Sequence, residues 1–117
     1  MVEKFKVIIT PEAQEDIRNS VRYIARELAN PQAAMTLQEE LRKEITSLET
    51  MPSRYKVVDE QPWGALGVRK IIVKNYYVYY INDDESKTVS VIAVIYVRMD
   101  QQKQVNKRNK QSKNSAL

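Results

Sequence analysis

Two residue types that carry much of enzyme chemistry at neutral pH are missing, because the 117 residues contain no histidine and no cysteine. Zinc sites, thiol nucleophiles and imidazole acid–base work are excluded on that ground. What remains is a small set of arginines, tyrosines and carboxylates placed in apolar rows. Arg69 opens the run RKIIV and shares strand parity with Ile71 and Val73. A guanidinium on an apolar row needs an anionic partner, either a carboxylate of the chain or a charge brought from outside. Further on, Tyr96-Val97-Arg98-Met99-Asp100 puts Tyr96 and Arg98 on one strand face. That spacing suits an anion contact beside Arg69, or strand-end capping with a local Arg98–Asp100 pair.

The stretch NYYVYYIN, residues 75–82, holds four of the seven tyrosines. A base-stacking platform would gather its rings on one face beside basic groups. Strand alternation instead sends Tyr76, Val78 and Tyr80 one way and Tyr77, Tyr79 and Ile81 the other. One pair is expected under a covering layer, and the other on an open face with Arg69. Trp63, in QPWGALG, is either an anchor on the sheet rim or a partner contact, with the anchor favoured. Asp83, Asp84 and Glu85 are adjacent acids that a hairpin turn explains without an ion. Gly64 and Gly67 lack the strand–loop–helix context of a phosphate loop. No metal and no cofactor are expected.

The elements that must position these groups follow from the patterning. FKVIIT (5–10) is a β-branched run ending in a helix start, with Thr10 as N-cap and Pro11 as first helical residue. Ala13, Ile17, Val21, Ile24 and Leu28 then recur at helical spacing. Asn30 and Pro31 restart a helix whose stripe is Ala34, Leu37, Leu41, Ile45 and Leu48, ending before Pro52. The period then changes to two: GVRKIIV (67–73), YYVYYI (76–81) and TVSVIAVIYV (88–97) read as strands joined by hairpin signals. Residues 53–66 read as a loop or a short edge strand. The predicted fold is α+β and two-layered: strand, helix, helix, three strands, with the helical hairpin on one sheet face and the other face vacant.

Length predicts one domain. The net charge of +4 is local, since residues 99–117 hold five basic side chains and one acid, leaving a neutral body. We therefore divide the chain into a domain, 1–98, and a basic, polar tail, 99–117, predicted to be disordered. That tail is either a solvated extension or a polyelectrolyte contact with DNA or ribosomal RNA. No apolar run approaches the roughly 18–20 residues that span a bilayer. A cytoplasmic protein without membrane contact is the expectation.

In this order and spacing, VIITPEAQEDI, the P-x-A-A…M-P-x-R-Y segment from Pro31 to Tyr55, GVRKIIVKNYYVYYI and VIAVIYVRMD carry a resemblance. Over roughly residues 5–100 the chain resembles the RelE/ParE family of bacterial type II toxin–antitoxin toxins. The resemblance implies a toxin silenced by a cognate antitoxin whose C-terminal segment wraps it, with operator DNA bound only through the antitoxin. It also implies a target, DNA gyrase for ParE-like members or the ribosome for RelE-like ones, which cleave messenger RNA without metal. Fold cannot choose between these.

By the same resemblance Arg69, Tyr96, Arg98 and Asp100 fall on target-binding or catalytic positions, with Arg54 and Lys56 as extra groups for an RNA site. Tyr77, Tyr79, Ile71 and Trp63 are the candidates for the antitoxin groove. RNA cleavage through a 2′-hydroxyl also needs a base and a leaving-group acid. Arg69 and Arg98 supply charge, whereas Lys56, Glu60 and Tyr96 are poor substitutes for a base. Met99 stands where a second arginine is common. The balance leans to the ParE-like reading.

Overall fold

The computed structural model describes residues 3–98; Asp100 and the basic tail lie outside the described residues. The chain runs β1 (Lys6–Ile9), α1 (Pro11–Arg22), α2 (Pro31–Thr46), β2 (Arg69–Val73), β3 (Tyr76–Asp83) and β4 (Thr88–Tyr96). Strand, helix, helix and three strands is the order that the patterning predicts.

Both helices start as capping chemistry requires. Thr10 Oγ1 accepts from the Ala13 N–H at 3.2 Å, and Asn30 Oδ1 accepts from the Ala33 N–H at 3.1 Å. Pro11 and Pro31 occupy first positions, where an amide would have no partner inside the helix. α1 then widens into a π turn, Tyr23–Glu27, and Ala29 closes it at φ 48. Widening rotates the next residue off the apolar stripe. Leu28, expected in the core, is consequently exposed. The α2 stripe has no such interruption, and Ala34, Leu37, Leu41, Ile45 and Leu48 are all buried.

The sheet order is β1-β4-β3-β2. β1 pairs parallel to β4, from Lys6 opposite Thr88 to Ile9 opposite Val91, which makes the last strand an inner one. Beyond β1 a side chain takes over the contact: the Val94 N–H donates to Asp16 Oδ2 of α1 at 2.9 Å. Opposite Tyr79 and Tyr80 the register shifts, with Tyr80 facing Val91 and Tyr79 facing Ala93, so Ile92 is an extra residue. This bulge swaps the rows of β4. Val89 and Val91 lie in the helix-side core, and past the bulge so do Val94 and Tyr96, while Ala93 and Ile95 turn away.

Leu37, Leu41 and Ile45 pack over Ile71, Val73, Tyr76, Val78 and Tyr80 to form the main core. Tyr76 and Tyr80 are thus the tyrosine pair beneath the helices. The second face is not vacant as expected. The connection between α2 and β2 folds across it, and Val58, Trp63 and Val68 join Tyr79, Ala93 and Ile95 in a smaller core. Gly67, at φ +83, makes the turn that returns this connection to β2, and the Val58 N–H donates to the Val68 carbonyl at 2.9 Å. Burying a large side chain contributes about 1.5–3 kcal/mol, so Trp63, with Val58 and Val68, favours the loop lying against this face.

Candidate functional site

Arg69 begins β2 opposite Tyr80, in the same row as Ile71 and Val73. That row faces the helices, so the guanidinium is on the helix side of the sheet and not on the face that carries Tyr77 and Tyr79. This corrects the expectation of an open-face arginine. Its partners are neutral carbonyls of the chain and not an anion: Nη1 donates to the Tyr55 carbonyl and, at 3.4 Å, to that of Ser53. Nε is buried without a hydrogen-bond partner among the described residues.

The same turn is held from its other side. Arg54 Nη1 donates to the carbonyls of Thr50 at 2.5 Å and Met51 at 3.1 Å, and Nη2 donates to Ser47 Oγ at 3.2 Å. Tyr80 Oη donates to the Pro52 carbonyl at 2.5 Å. Two guanidinia and a phenol therefore converge on residues 50–55, where Met51 adopts a left-handed φ of 47. Burial pushes the Tyr80 phenol up to about 12, against the opposing pull of the Arg69 and Arg54 charges. Lys56 follows as an exposed side chain. Arg54, Lys56 and Arg69 thus form one basic corner.

Tyr96 and Arg98 are not beside it. Tyr96 pairs with Tyr76, the first residue of β3, and the two rings meet at a tilt with centroids 5.4 Å apart. Four residues of strand, about 13 Å at roughly 3.3 Å each, separate Tyr76 from Tyr80, the partner of Arg69. β4 ends at Tyr96, so Arg98 lies in the following turn and is exposed rather than aligned with Tyr96 on a strand. The Tyr76–Tyr96 end opens instead into an apolar groove of about 890 Å³ under the tip of α1, lined by Tyr23, Ile24, Leu28 and Val94 among others.

On the second face, Trp63 packs on Tyr79 with ring centroids 4.7 Å apart. Tyr79 Oη donates to Glu60 Oε2 at 3.3 Å, and Lys70 Nζ lies 3.3 Å from Glu60 Oε1 and 4.2 Å above the Tyr77 ring. Burial, then the Glu60 carboxylate, drive the Tyr79 phenol far above its ordinary range. Of the four groove candidates, Trp63 and Tyr79 are sealed in this small core, and Ile71 lies in the helix-side one. Only Tyr77 reaches the surface. Beside it in the register stands Ile72, 65% exposed, which the sequence reasoning missed. Its signal was parity, since the residue after Ile71 must face the other way. Among the described residues no cluster of three or more acidic groups is arranged to hold a metal ion.

The fold has relatives among known proteins. The model of the family described as "ParE toxin of type II toxin-antitoxin system, parDE" matches residues 7–101. A solved structure described as the chromosomal ParDE TA system from P. aeruginosa superposes with a TM-score of 0.67 at 14% identity, covering 81% of this chain and 98% of that one. The toxin–antitoxin complex RelBE2 from Mycobacterium tuberculosis superposes with a TM-score of 0.54 at 19% identity, covering 80% and 92%. No curated protein sequence matches the chain.

Proposed function

The chain belongs to the ParE toxin family of type II toxin–antitoxin systems, and from that premise we propose that it halts growth by binding DNA gyrase and is silenced by a cognate antitoxin. It acts in this reading as a binding protein in the cytoplasm, and operator DNA is reached only through the antitoxin. The observation that carries the reading is the separation of Arg69 from Tyr96 and Arg98. A phosphoryl-transfer site needs base, acid and cation within hydrogen-bond reach of one reacting group. Here Arg69 pairs with Tyr80 and Tyr96 with Tyr76, four residues apart along β3, and the Arg69 guanidinium is engaged with backbone carbonyls. That the structural neighbours are described as toxin–antitoxin assemblies supports the antitoxin as partner.

A second reading has one observation in its favour. Arg54, Lys56 and Arg69 share a corner, and such a cluster suits the phosphates of RNA. The alternative is accordingly a RelE-like, metal-independent endoribonuclease acting on messenger RNA in the ribosome. Induced expression separates the two. Early loss of DNA synthesis with gyrase-dependent breaks is the expected result. Immediate arrest of translation with messages cut at codon boundaries would replace it with the second reading.

A further inference from the structure

Residues 58–68 leave the sheet and rejoin it at one point. The Val58 N–H donates to the Val68 carbonyl at 2.9 Å, and Val57 bridges to Arg69 just outside that pair. A surface loop whose ends meet is a compact unit in its own right. Its bonds are largely its own: the Gly64 N–H donates to the Glu60 carbonyl at 2.8 Å, the Gly67 N–H to the Gly64 carbonyl at 3.1 Å, and the Ala65 N–H to Gln61 Oε1 at 3.2 Å. The packing inside it is close, since a Cβ at Gly64 would stand 2.6 Å from the Val58 carbonyl oxygen.

The loop's hold on the sheet is of another kind. Among the described residues no strand bridge joins 59–67 to β2, β3 or β4. Trp63 lies on the Tyr79 ring, and the Glu60 carboxylate spans two strands, accepting from Tyr79 Oη and pairing with Lys70 Nζ, both at 3.3 Å. At the return to β2, Gly67 sits at φ +83 with no atom within 4 Å of the place a Cβ would take, which leaves that joint room to turn. Beneath the loop, Tyr79 and Ala93 are fully buried on a face that no helix covers, with Ile95 beside them. The ladder that holds those three residues runs between β3 and β4, so lifting the loop breaks none of it.

We propose that residues 59–67 are a hinged cover, latched by Glu60 across Lys70 and Tyr79, that lifts from the sheet without unfolding the domain and uncovers an apolar face of β3 and β4. Closed, the cover withholds that face from every other chain, as an autoinhibitory contact does. The inference uses the fold alone and does not depend on gyrase as the target.

The sequence has no cysteine, so Ala93→Cys in the full chain places a lone thiol under the cover. A small thiol reagent is expected to label it about a hundredfold faster than global unfolding allows. Low urea should change that rate little, because lifting one loop exposes far less surface than unfolding. Should Ala93→Cys not fold, chymotrypsin cleavage after Trp63 in the unmodified chain reads the same opening. Labelling or cleavage no faster than global unfolding, with the urea dependence of global unfolding, overturns the cover. Adding Glu60→Ala is expected to speed either reaction by about tenfold, as the loss of a charged hydrogen-bond partner from the closed form alone would do. A Glu60→Ala chain that opens at the unaltered rate, whatever its global stability, overturns Glu60 as the latch, because a contact kept in the lifted form cannot hold the cover down.

Discussion

Tyr80 Oη donates to the Pro52 carbonyl at 2.5 Å, joining a central strand to a turn 28 residues earlier in the chain. Arg69, opposite Tyr80 in the ladder, donates to Tyr55 of the same turn. The path between α2 and β2 is therefore fixed at its start by residues of the sheet it goes on to cover.

Tyr80→Phe keeps the ring and removes the donor, leaving a buried carbonyl unpaired. Such a loss costs about 1–3 kcal/mol. In urea unfolding the variant is expected to show a lower midpoint with an unchanged slope.

Alkaline stability follows from the two buried phenols. Both Tyr79 and Tyr80 are raised above 10.0 in the folded chain. The folded state thus holds protons that the unfolded state releases, and the stabilising contribution is complete below pH 10. For Tyr80 it is lost as pH rises from there through about 12. Tyrosinate absorbance is expected to show these two rings ionising only with unfolding. Tyr80→Phe should narrow the alkaline loss; an unaltered profile would contradict the assignment.

Arg69→Ala removes the bonds to the Tyr55 and Ser53 carbonyls. It is expected to destabilise the domain by about 1–2 kcal/mol and to loosen residues 50–55, as limited proteolysis would register. Growth arrest per folded molecule should remain. Loss of arrest in a variant of unchanged stability would return Arg69 to the target contact.

Asp16→Ala leaves the Val94 N–H without its carboxylate partner. A bond from a charged acceptor contributes about 1.5–3 kcal/mol. Asp16→Asn retains an acceptor oxygen and is expected to recover part of the loss in thermal unfolding.

Arg69 lies on the helix side, and Ile71, Trp63 and Tyr79 of the four groove candidates are buried, for two separate reasons. Strand parity groups Arg69 with Ile71 and Val73 correctly, but it does not say which row the helices cover. An apolar row is the better candidate for the covered side, and that argument, carried through, takes Arg69 to the helices with its neighbours. Trp63 and Tyr79 lie on the second face as alternation and the anchor reading have it. They are nonetheless hidden, because the loop that covers them has no periodicity from which its path could be read.

The sequence by itself determined the order of elements, both helix starts at Thr10-Pro11 and Asn30-Pro31, the α2 stripe and the division of the tyrosines. Each depends on neighbours within a turn or a strand, where capping and side-chain period act locally. Only the tertiary structure decided the pairing of β1 with β4, the bulge at Ile92 that changes the face of Tyr96, and the fold of the 55–68 connection over the second face. These depend on contacts between residues far apart in the chain, and a one-residue shift in register changes which side chains meet. For that reason Arg69, Tyr96 and Arg98, close to one another in the pattern, are apart in the molecule.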